Sequence, residues 1–322
     1  MSIKISKNAS KIFYIISTAF ILWIILILIW RPNKIHGRIF SIERNGFCVI
    51  PSVFSKKECE TIEKLANKNK IRELMRDFFN ENYSIIYKIR EKIAEVSDTQ
   101  SKFCGGDGGD VAATGSAATA AGSQYYTFHN YLWNIRKGSV VTCHSDNNAR
   151  RFNPKQKYPS YTVLVYPTGG CLGVIPKSHK KEYRKWFYWY NPIVDIVCDP
   201  GDIILFDAEL VHVGGTSCSS RENPRIQLKV SHKDDMKVLD YYQNYYKIID
   251  KKVKIPEIIS NAQKNLVCMF PIISDMTQNE NIRTARGSVE GVKIGWGQKL
   301  FSLLFYGDAN YYDLTSISTT QT

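Results

Sequence analysis

His144-Ser145-Asp146 and, far downstream, His212 with Asn223-Pro224-Arg225 are the residues of this chain whose types and spacing could do chemistry. In an extended strand, residues i and i+2 leave the same face, so His144 and Asp146 can grip one metal ion while Ser145 turns away. His212 adds a third ligand from a distant strand. Two imidazoles and one carboxylate occupy one face of an octahedron and leave the opposite positions open, as non-haem Fe(II) requires to hold a chelating cosubstrate and O2. Arg225 offers a planar fork to the far carboxylate of such a cosubstrate.

An H-x-D tripeptide is common by chance, and most histidines near strands are structural, so the surrounding elements carry the weight. Pro200-Gly201-Asp202 is a tight turn feeding the apolar run Ile203 to Phe206, a buried strand leading to His212. Arg225 opens another strand, in which Ile226, Leu228 and Val230 alternate with polar residues. Between the ligand regions, Tyr161 to Tyr166 and then Gly169 to Lys180 read as strand, turn, strand and a stop at Pro176.

Three segments in this order carry a family resemblance: Arg44-Asn45-Gly46-Phe47-Cys48-Val49-Ile50-Pro51 before a helix, the H-x-D with the G-x-L-x-x-I-P-x-S-H segment ending at His179, and P-G-D-x-x-x-F through His212 to N-x-R. Together they resemble the phytanoyl-CoA dioxygenase-like branch of the Fe(II)/2-oxoglutarate oxygenases, over residues 40–235. The resemblance implies a mainly β double-stranded β-helix, a jelly roll of the cupin kind, braced by helices. It implies Fe(II) on His144, Asp146 and His212, the 2-oxoglutarate C5 carboxylate on Arg225, and no catalytic group beyond the metal ligands. By the family's chemistry, 2-oxoglutarate is decarboxylated to succinate and a substrate C–H bond is hydroxylated. Lys177 departs from the pattern, because the family's turn has glycine there; where that turn requires φ > 0, lysine strains it or the turn has changed shape. His179, Tyr126 and Trp133 are candidates to line the substrate pocket, with a turn-stabilising hydrogen bond the competing role for His179. The substrate itself, whether lipid or acyl chain, peptidyl side chain or small metabolite, is selected by loops and not by the triad. Two other readings stand beside this one: a prolyl-hydroxylase-type protein hydroxylase, disfavoured because those enzymes anchor the cosubstrate with lysine, and a catalytically inactive jelly-roll membrane protein.

Ile12 to Trp30 contains no charge, and its helical length of roughly 28 Å matches a bilayer core. It reads as a single-pass membrane anchor: the apolar run is longer than a signal peptide's, and Arg31-Pro32-Asn33-Lys34 follows in place of a cleavage site. Lysines at 4, 7 and 11 are matched by Arg31, Lys34 and Arg38, so charge asymmetry gives no orientation. A short amino-terminal tail preceding the anchor favours placing the catalytic part in a lumen or outside. The expected layout is a basic tail at 1–11, the anchor at 12–30, the oxygenase domain at 40–235 and an extension at 236–322 packed on it.

The net charge of +13 over 322 residues is spread along the chain, including the juxtamembrane segment, where anionic lipid would attract it. Lys177, Lys180, Lys181, Arg184 and Lys185 interleave with aromatic residues, yet no nucleic-acid-binding pattern appears, and a solvated basic face or an acidic or membrane-associated substrate is the expectation. The 8 cysteines show no C-x-x-C pair and are too dilute for a disulfide scaffold. Cys143 adjoins His144 but points the other way along a strand, as a core thiol.

Ser55 and Glu58 form a capping box for a helix whose Cys59, Ile62, Leu65 and Ala66 share one face. A second helix carries Ile85, Ile86, Ile89, Ile93 and Val96 at helical spacing. The low-complexity segment Gly105 to Gly122 reads as a surface loop, with a lid as the alternative. Strands are expected at Gly46 to Pro51, Tyr125 to Trp133, Val140 to His144, Tyr161 to Tyr166, Leu172 to Ile175, Ile193 to Cys198, Asp202 to Phe206 and Arg225 to Ser231. In the extension, Asp240 to Lys251 looks helical. Leu300 to Phe305 is too short to span a bilayer and is expected to pack on the domain, with membrane skimming the lesser reading.

Overall fold

Short apolar runs separated by Pro, Gly and Asp turns pair into two sheets in the computed structural model, which describes residues 7–36, 41–66, 126–135, 142–146, 148–215, 225–237, 255–272, 294–311 and 313. The larger sheet has the order β2 (Phe47–Ile50), β7 (Ile203–Asp207), β4 (Tyr161–Val165), β9 (Arg225–His232), β3 (Tyr126–Ile135), all antiparallel. The smaller has the order β1 (Asn33–His36), β6 (Val194–Cys198), β5 (Gly170–Val174), β8 (His212–Gly214), with β1 parallel to β6. The protein is mainly β, with two facing sheets.

Period-two alternation decides which layer each side chain joins. Tyr161, Val163 and Val165 of β4 and Ile226, Leu228 and Val230 of β9 join one apolar layer with Phe54, Cys59 and Ile62. Their neighbours face the opposite way. Leu164 and Tyr166 meet Phe206, Leu172, Val174 and Ile196 in a second layer, between the sheets. The polar residues that alternate along β9 therefore enter the interior: Gln227, Lys229 and Ser231 are all buried.

Helix α1 (Lys7–Ile29) precedes this body and α2 (Ile42–Asn45) enters it. Helix α3 (Lys56–Ala66) covers the large sheet, and its capping box is present: Glu58 N–H donates to Ser55 Oγ at 3.3 Å, and Ser55 N–H to Glu58 Oε2 at 2.7 Å. Helix α4 (Glu257–Met269) covers the other side, where Val267 and Cys268 pack with Cys143, Ile175, Val211 and Val213. Helix α5 (Trp296–Tyr306) follows and adds Phe305 to that cluster. Cys143 is thus the core thiol its position implied.

Several expectations shift. Val140 to His144 is not a strand over its described part: His144 makes one isolated bridge, to His212. The strand from Ile203 stops at Asp207, and His212 opens a separate strand, β8. Neither β1 nor α2 was legible, since each is four residues long and without usable periodicity. The second helix at 85–96, the segment 105–122, the helix at 240–251 and Arg221 lie outside the described residues.

Two turns fix the β2 to α3 connection. Gly201 carbonyl accepts the Val53 and Phe54 N–H groups at 2.9 and 3.1 Å, and the Asp202 carboxylate accepts those of Ser52 and Asp199. Gly201 has φ of 91°, and a Cβ there would lie 2.4 Å from Phe54 O. Lys177 has φ of 68°, so the left-handed turn is kept and lysine sits in it. Gly201→Ala should lower unfolding free energy by more than ~1 kcal/mol, since strain and overlap act together. Lys177→Gly should raise it by up to about 1 kcal/mol, because removing the left-handed strain outweighs the extra chain entropy. Urea denaturation midpoints test both signs.

Candidate metal centre

Two backbone bonds bring the ligand regions together: His144 N–H donates to His212 O at 2.9 Å and His212 N–H to His144 O at 2.8 Å. Asp146 N–H is held by Ala208 O at 3.0 Å, and Ser145 Oγ donates to Glu209 O at 2.8 Å, which turns Ser145 away from its neighbours. One ligand atom from each of His144, Asp146 and His212 lies within 4.8 Å of the others, all three residues buried. Sequence spacing is thereby converted into one convergent donor set.

The rings are oriented by the backbone. Nδ1 of His144 lies 3.0 Å from Thr142 O and Nδ1 of His212 lies 2.9 Å from Leu210 O. A carbonyl accepts only, so each Nδ1 carries the hydrogen and each Nε2 presents a lone pair. Burial, with the neighbouring His212 charge, pulls His144 down to about 3, and burial pulls His212 below its ordinary value. Both imidazoles are neutral at pH 7. Two neutral Nε2 atoms and a carboxylate oxygen suit a divalent ion of intermediate hardness such as Fe(II).

Asp146 is held from behind. Its Oδ2 accepts from Thr162 Oγ1 at 2.5 Å and pairs with Lys229 Nζ, which also donates to Thr162 Oγ1 at 2.7 Å. Its Oδ1 faces His212 Nε2 at 3.9 Å. Burial would raise Asp146, but Lys229 and the two histidines outweigh it and hold it at about 2, fully ionised. Lys229 is pulled down to about 8 by burial against the attraction of Asp146. The sequence held one signal for Lys229: it is a lysine in the polar register of a strand whose apolar register is core. That pattern usually means a solvent face, and only the second sheet makes it an interior.

A second, partly buried pair fixes the segment leading to His212. Glu209 accepts from Arg184 Nη2 at 2.7 Å and from Arg151 N–H at 2.9 Å, while Arg184 also donates to the Ser178 and His179 carbonyls. Val211 N–H donates to Ser178 Oγ at 2.8 Å. Arg184 therefore does not belong to a solvated basic face as its sequence neighbours suggest; it ties the turn after β5 to the β7–β8 connection. His179 Nε2 lies 3.0 Å from Glu43 O, a contact that ties the turn after β5 to α2.

Arg225 opens β9 in the register whose alternate members, Gln227 and Lys229, are buried in the interior. Its Nε is buried with no hydrogen-bond partner among the described residues. Its guanidinium lies against the Tyr166 hydroxyl, where it opposes the upward pull of burial, and it adds to the forces lowering His212. An unfilled, buried guanidinium donor near the triad fits a ligand carboxylate. Tyr126 is elsewhere: it packs with Tyr161 in the layer beneath α3, the face of β4 opposite Thr162, and does not line the triad. Trp133 pairs with Gln227 through the backbone of β3, and its side chain lies outside the described atoms.

The sequence pattern of the family described as phytanoyl-CoA dioxygenase (PhyH) matches residues 42–225. No curated protein matches the chain. Among solved structures, similar chains include EvdO2 from Micromonospora carbonacea var. aurantiaca complexed with 2-oxoglutarate, at 12% identity and TM-score 0.39 over 61% of this chain and 91% of that one. HygX from Streptomyces hygroscopicus with nickel and 2-oxoglutarate bound follows at 14% identity and TM-score 0.35, over 60% and 84%. The epimerase SnoN in complex with Fe3+, alpha ketoglutarate and nogalamycin RO stands at 13% and 0.32, over 60% and 81%.

Asp207 gives this region a pH dependence. Burial raises its carboxyl to about 6, with Glu209 N–H donating to Oδ1 at 2.8 Å as a partial offset. The native state then binds the proton more tightly than the unfolded chain, so this group's stabilisation is complete below pH 4 and is lost as pH rises through 6. Its ionisation at neutral pH costs on the order of 2–3 kcal/mol. Asp207→Asn should therefore stabilise the protein at pH 7 by about 1–3 kcal/mol and leave little difference at pH 4. Denaturation free energies across that range test it; an equal effect at both ends would refute the assignment.

Proposed function

The chain belongs to the phytanoyl-CoA dioxygenase family, and on that premise we propose that His144, Asp146 and His212 hold Fe(II) and that Arg225 holds the C5 carboxylate of 2-oxoglutarate. The protein is an enzyme, a dioxygenase with Fe(II) and 2-oxoglutarate as cofactors. When bound, the pair supplies O2 activation coupled to decarboxylation of 2-oxoglutarate to succinate. The observation that carries the residue assignment is the convergence of two Nε2 lone pairs and Asp146 Oδ1, each fixed by a hydrogen bond on its far side.

The chain's own residues do four things in this reading. Thr142 and Leu210 carbonyls set the histidine tautomers; Lys229 and Thr162 occupy Asp146 Oδ2 and leave Oδ1 for the ion; Arg225 orients the cosubstrate; Phe206, its ring 4.7 Å from that of His212, excludes water. The substrate is an organic molecule bearing the C–H bond to be hydroxylated, drawn from lipid, peptidyl or metabolite pools. Product mass spectrometry of the iron-loaded full chain against those three pools identifies it.

Single substitutions to Ala at His144, Asp146 or His212 should abolish Fe(II)-dependent succinate formation with folding retained, and turnover in all three would sink the ligand set. Arg225→Ala removes a charge-assisted partner worth about 2–5 kcal/mol, so the apparent 2-oxoglutarate constant should rise roughly thirtyfold or more. Fe(II) affinity should barely change. Arg225→Lys should fall between, since it keeps the charge and loses the fork. A large effect at Arg221 and none at Arg225 would reassign the anchor.

Residues Ser10–Ile29 form a 20-residue apolar stretch of α1 with a mean hydropathy of 2.8 and only 6% of its strongest window buried. We assign this stretch as a membrane anchor, with the oxygenase domain following at 40–235 and the extension at 236–322. The full chain should stay in the membrane pellet after alkaline carbonate extraction. Release into the supernatant would remove the anchor from this reading.

A further inference from the structure

The last two turns of α1 are not bare. Ile27 is buried, Trp23 and Ile24 are half-buried, and the remaining large side chains of the helix are open. Trp23 is covered by the segment between β5 and β6: its Nε1 donates to Trp189 O at 3.0 Å, and its ring meets those of Trp189 and Phe187 at 6.0 and 6.4 Å. Helix α4 packs on the same stretch of α1, and Asn265 Nδ2 donates to Trp30 O at 2.9 Å. Trp23 lies six residues before Ile29, about 9 Å along the helix axis.

That length sets a depth. A bilayer core of about 30 Å needs roughly 20 apolar residues, which is the whole of Ser10–Ile29. Whatever touches Trp23 then lies below the headgroup level. The wall that touches it is apolar outward as well: Trp186 and Trp189 are 67% and 74% exposed. The patch continues onto α5, which is joined to α4 by Gln263 Nε2 donating to Leu304 O at 2.6 Å. Ser302 and Tyr306 point α5 inward, and Trp296, Leu300, Leu303 and Leu304, at helical spacing i, i+4, i+7 and i+8, remain exposed at 81%, 48%, 51% and 55%. Exposed Arg31, Lys34, Lys185 and Lys299 lie in the same segments, with Glu182 the opposing charge.

We propose that the aromatic loop Trp186 to Tyr190 and the outer face of α5 dock into the surface of the bilayer that α1 crosses, so that the oxygenase domain rides half-sunk at the headgroup level and does not hang from a flexible stalk. Aromatic rings seat at that level, and an amphipathic helix buries its apolar face there. The basic residues select anionic headgroups. The occupant is lipid because the patch is continuous with a helix whose open face is itself lipid-compatible. This rests on the membrane-anchor reading of α1, and the test separates the two.

The full chain is reconstituted into phosphatidylcholine/phosphatidylglycerol vesicles carrying a doxyl quencher near the headgroup, and tryptophan emission is followed. Trp23 and Trp30 report the anchor in every variant; Trp186, Trp189 and Trp296 report docking. Emission from the docking residues should shift to the blue and be quenched, with W296F and W186F each removing part of the quenched fraction. Exchanging Leu300, Leu303 and Leu304 for Gln should restore water-exposed, unquenched Trp296 emission. If W296F and W186F leave the quenched fraction unchanged while the Trp23 and Trp30 part persists, the anchor stands and docking is overturned. If nothing is quenched, both fall. Blue-shifted but unquenched Trp296 would place another protein copy on α5 and overturn the lipid assignment.

Discussion

The two-way backbone bridge between His144 and His212 is the constraint on which the site depends. Donor and acceptor exchange within 2.9 Å on both sides, so neither residue can slip without the other. A slip of one position would send an imidazole to the opposite face, because side-chain direction alternates along extended backbone. The bridge also places Asp146 beside Ala208, and so brings all three ligand atoms to one place from segments 66 residues apart at their closest.

Charge in this interior is arranged in closed pairs. Asp146 with Lys229 is a buried ion pair and Glu209 with the half-buried Arg184 a partly buried one, each supplemented by hydrogen bonds, and the fully buried pair is costly to break from one side. The two pairs serve different parts. Lys229 leaves one carboxylate oxygen of Asp146 facing the histidines, whereas Arg184 pins the connection that delivers His212. Asp207 carries a raised pKa two residues before Glu209, so the same connection keeps one carboxyl that is expensive to ionise. Arg225 has a buried Nε that no described residue accepts from. A ligand carboxylate would complete the pairing of that Nε.

The amino-terminal helix and the carboxy-terminal extension meet on one side of the protein. α1, α4, α5 and the Trp186 to Tyr190 segment contact one another in series, through Trp23, Asn265, Phe187 with Phe270, and Gln263. These contacts seat the last two turns of α1 against the domain. Residues far apart in sequence thereby share one face.

The sequence by itself determined the donor types, their order, the capping box of α3, the core register of β9 and the apolar helix, because each rests on local spacing that needs no partner to be recognised. It also exposed Lys177 as a residue out of place, and the turn there is indeed left-handed. Tertiary structure decided everything that depends on which face meets what. Tyr126 carries the right chemistry for a pocket, yet the pleat turns it under α3, and His179 lies against Glu43. Lys229 reads as solvent-facing because strand alternation distinguishes two faces without saying that both are covered, and Arg184 because its sequence neighbours are basic. The second sheet covers the inner face and makes Lys229 the partner that holds Asp146, while the fold of the turn after β5 brings Arg184 to Glu209.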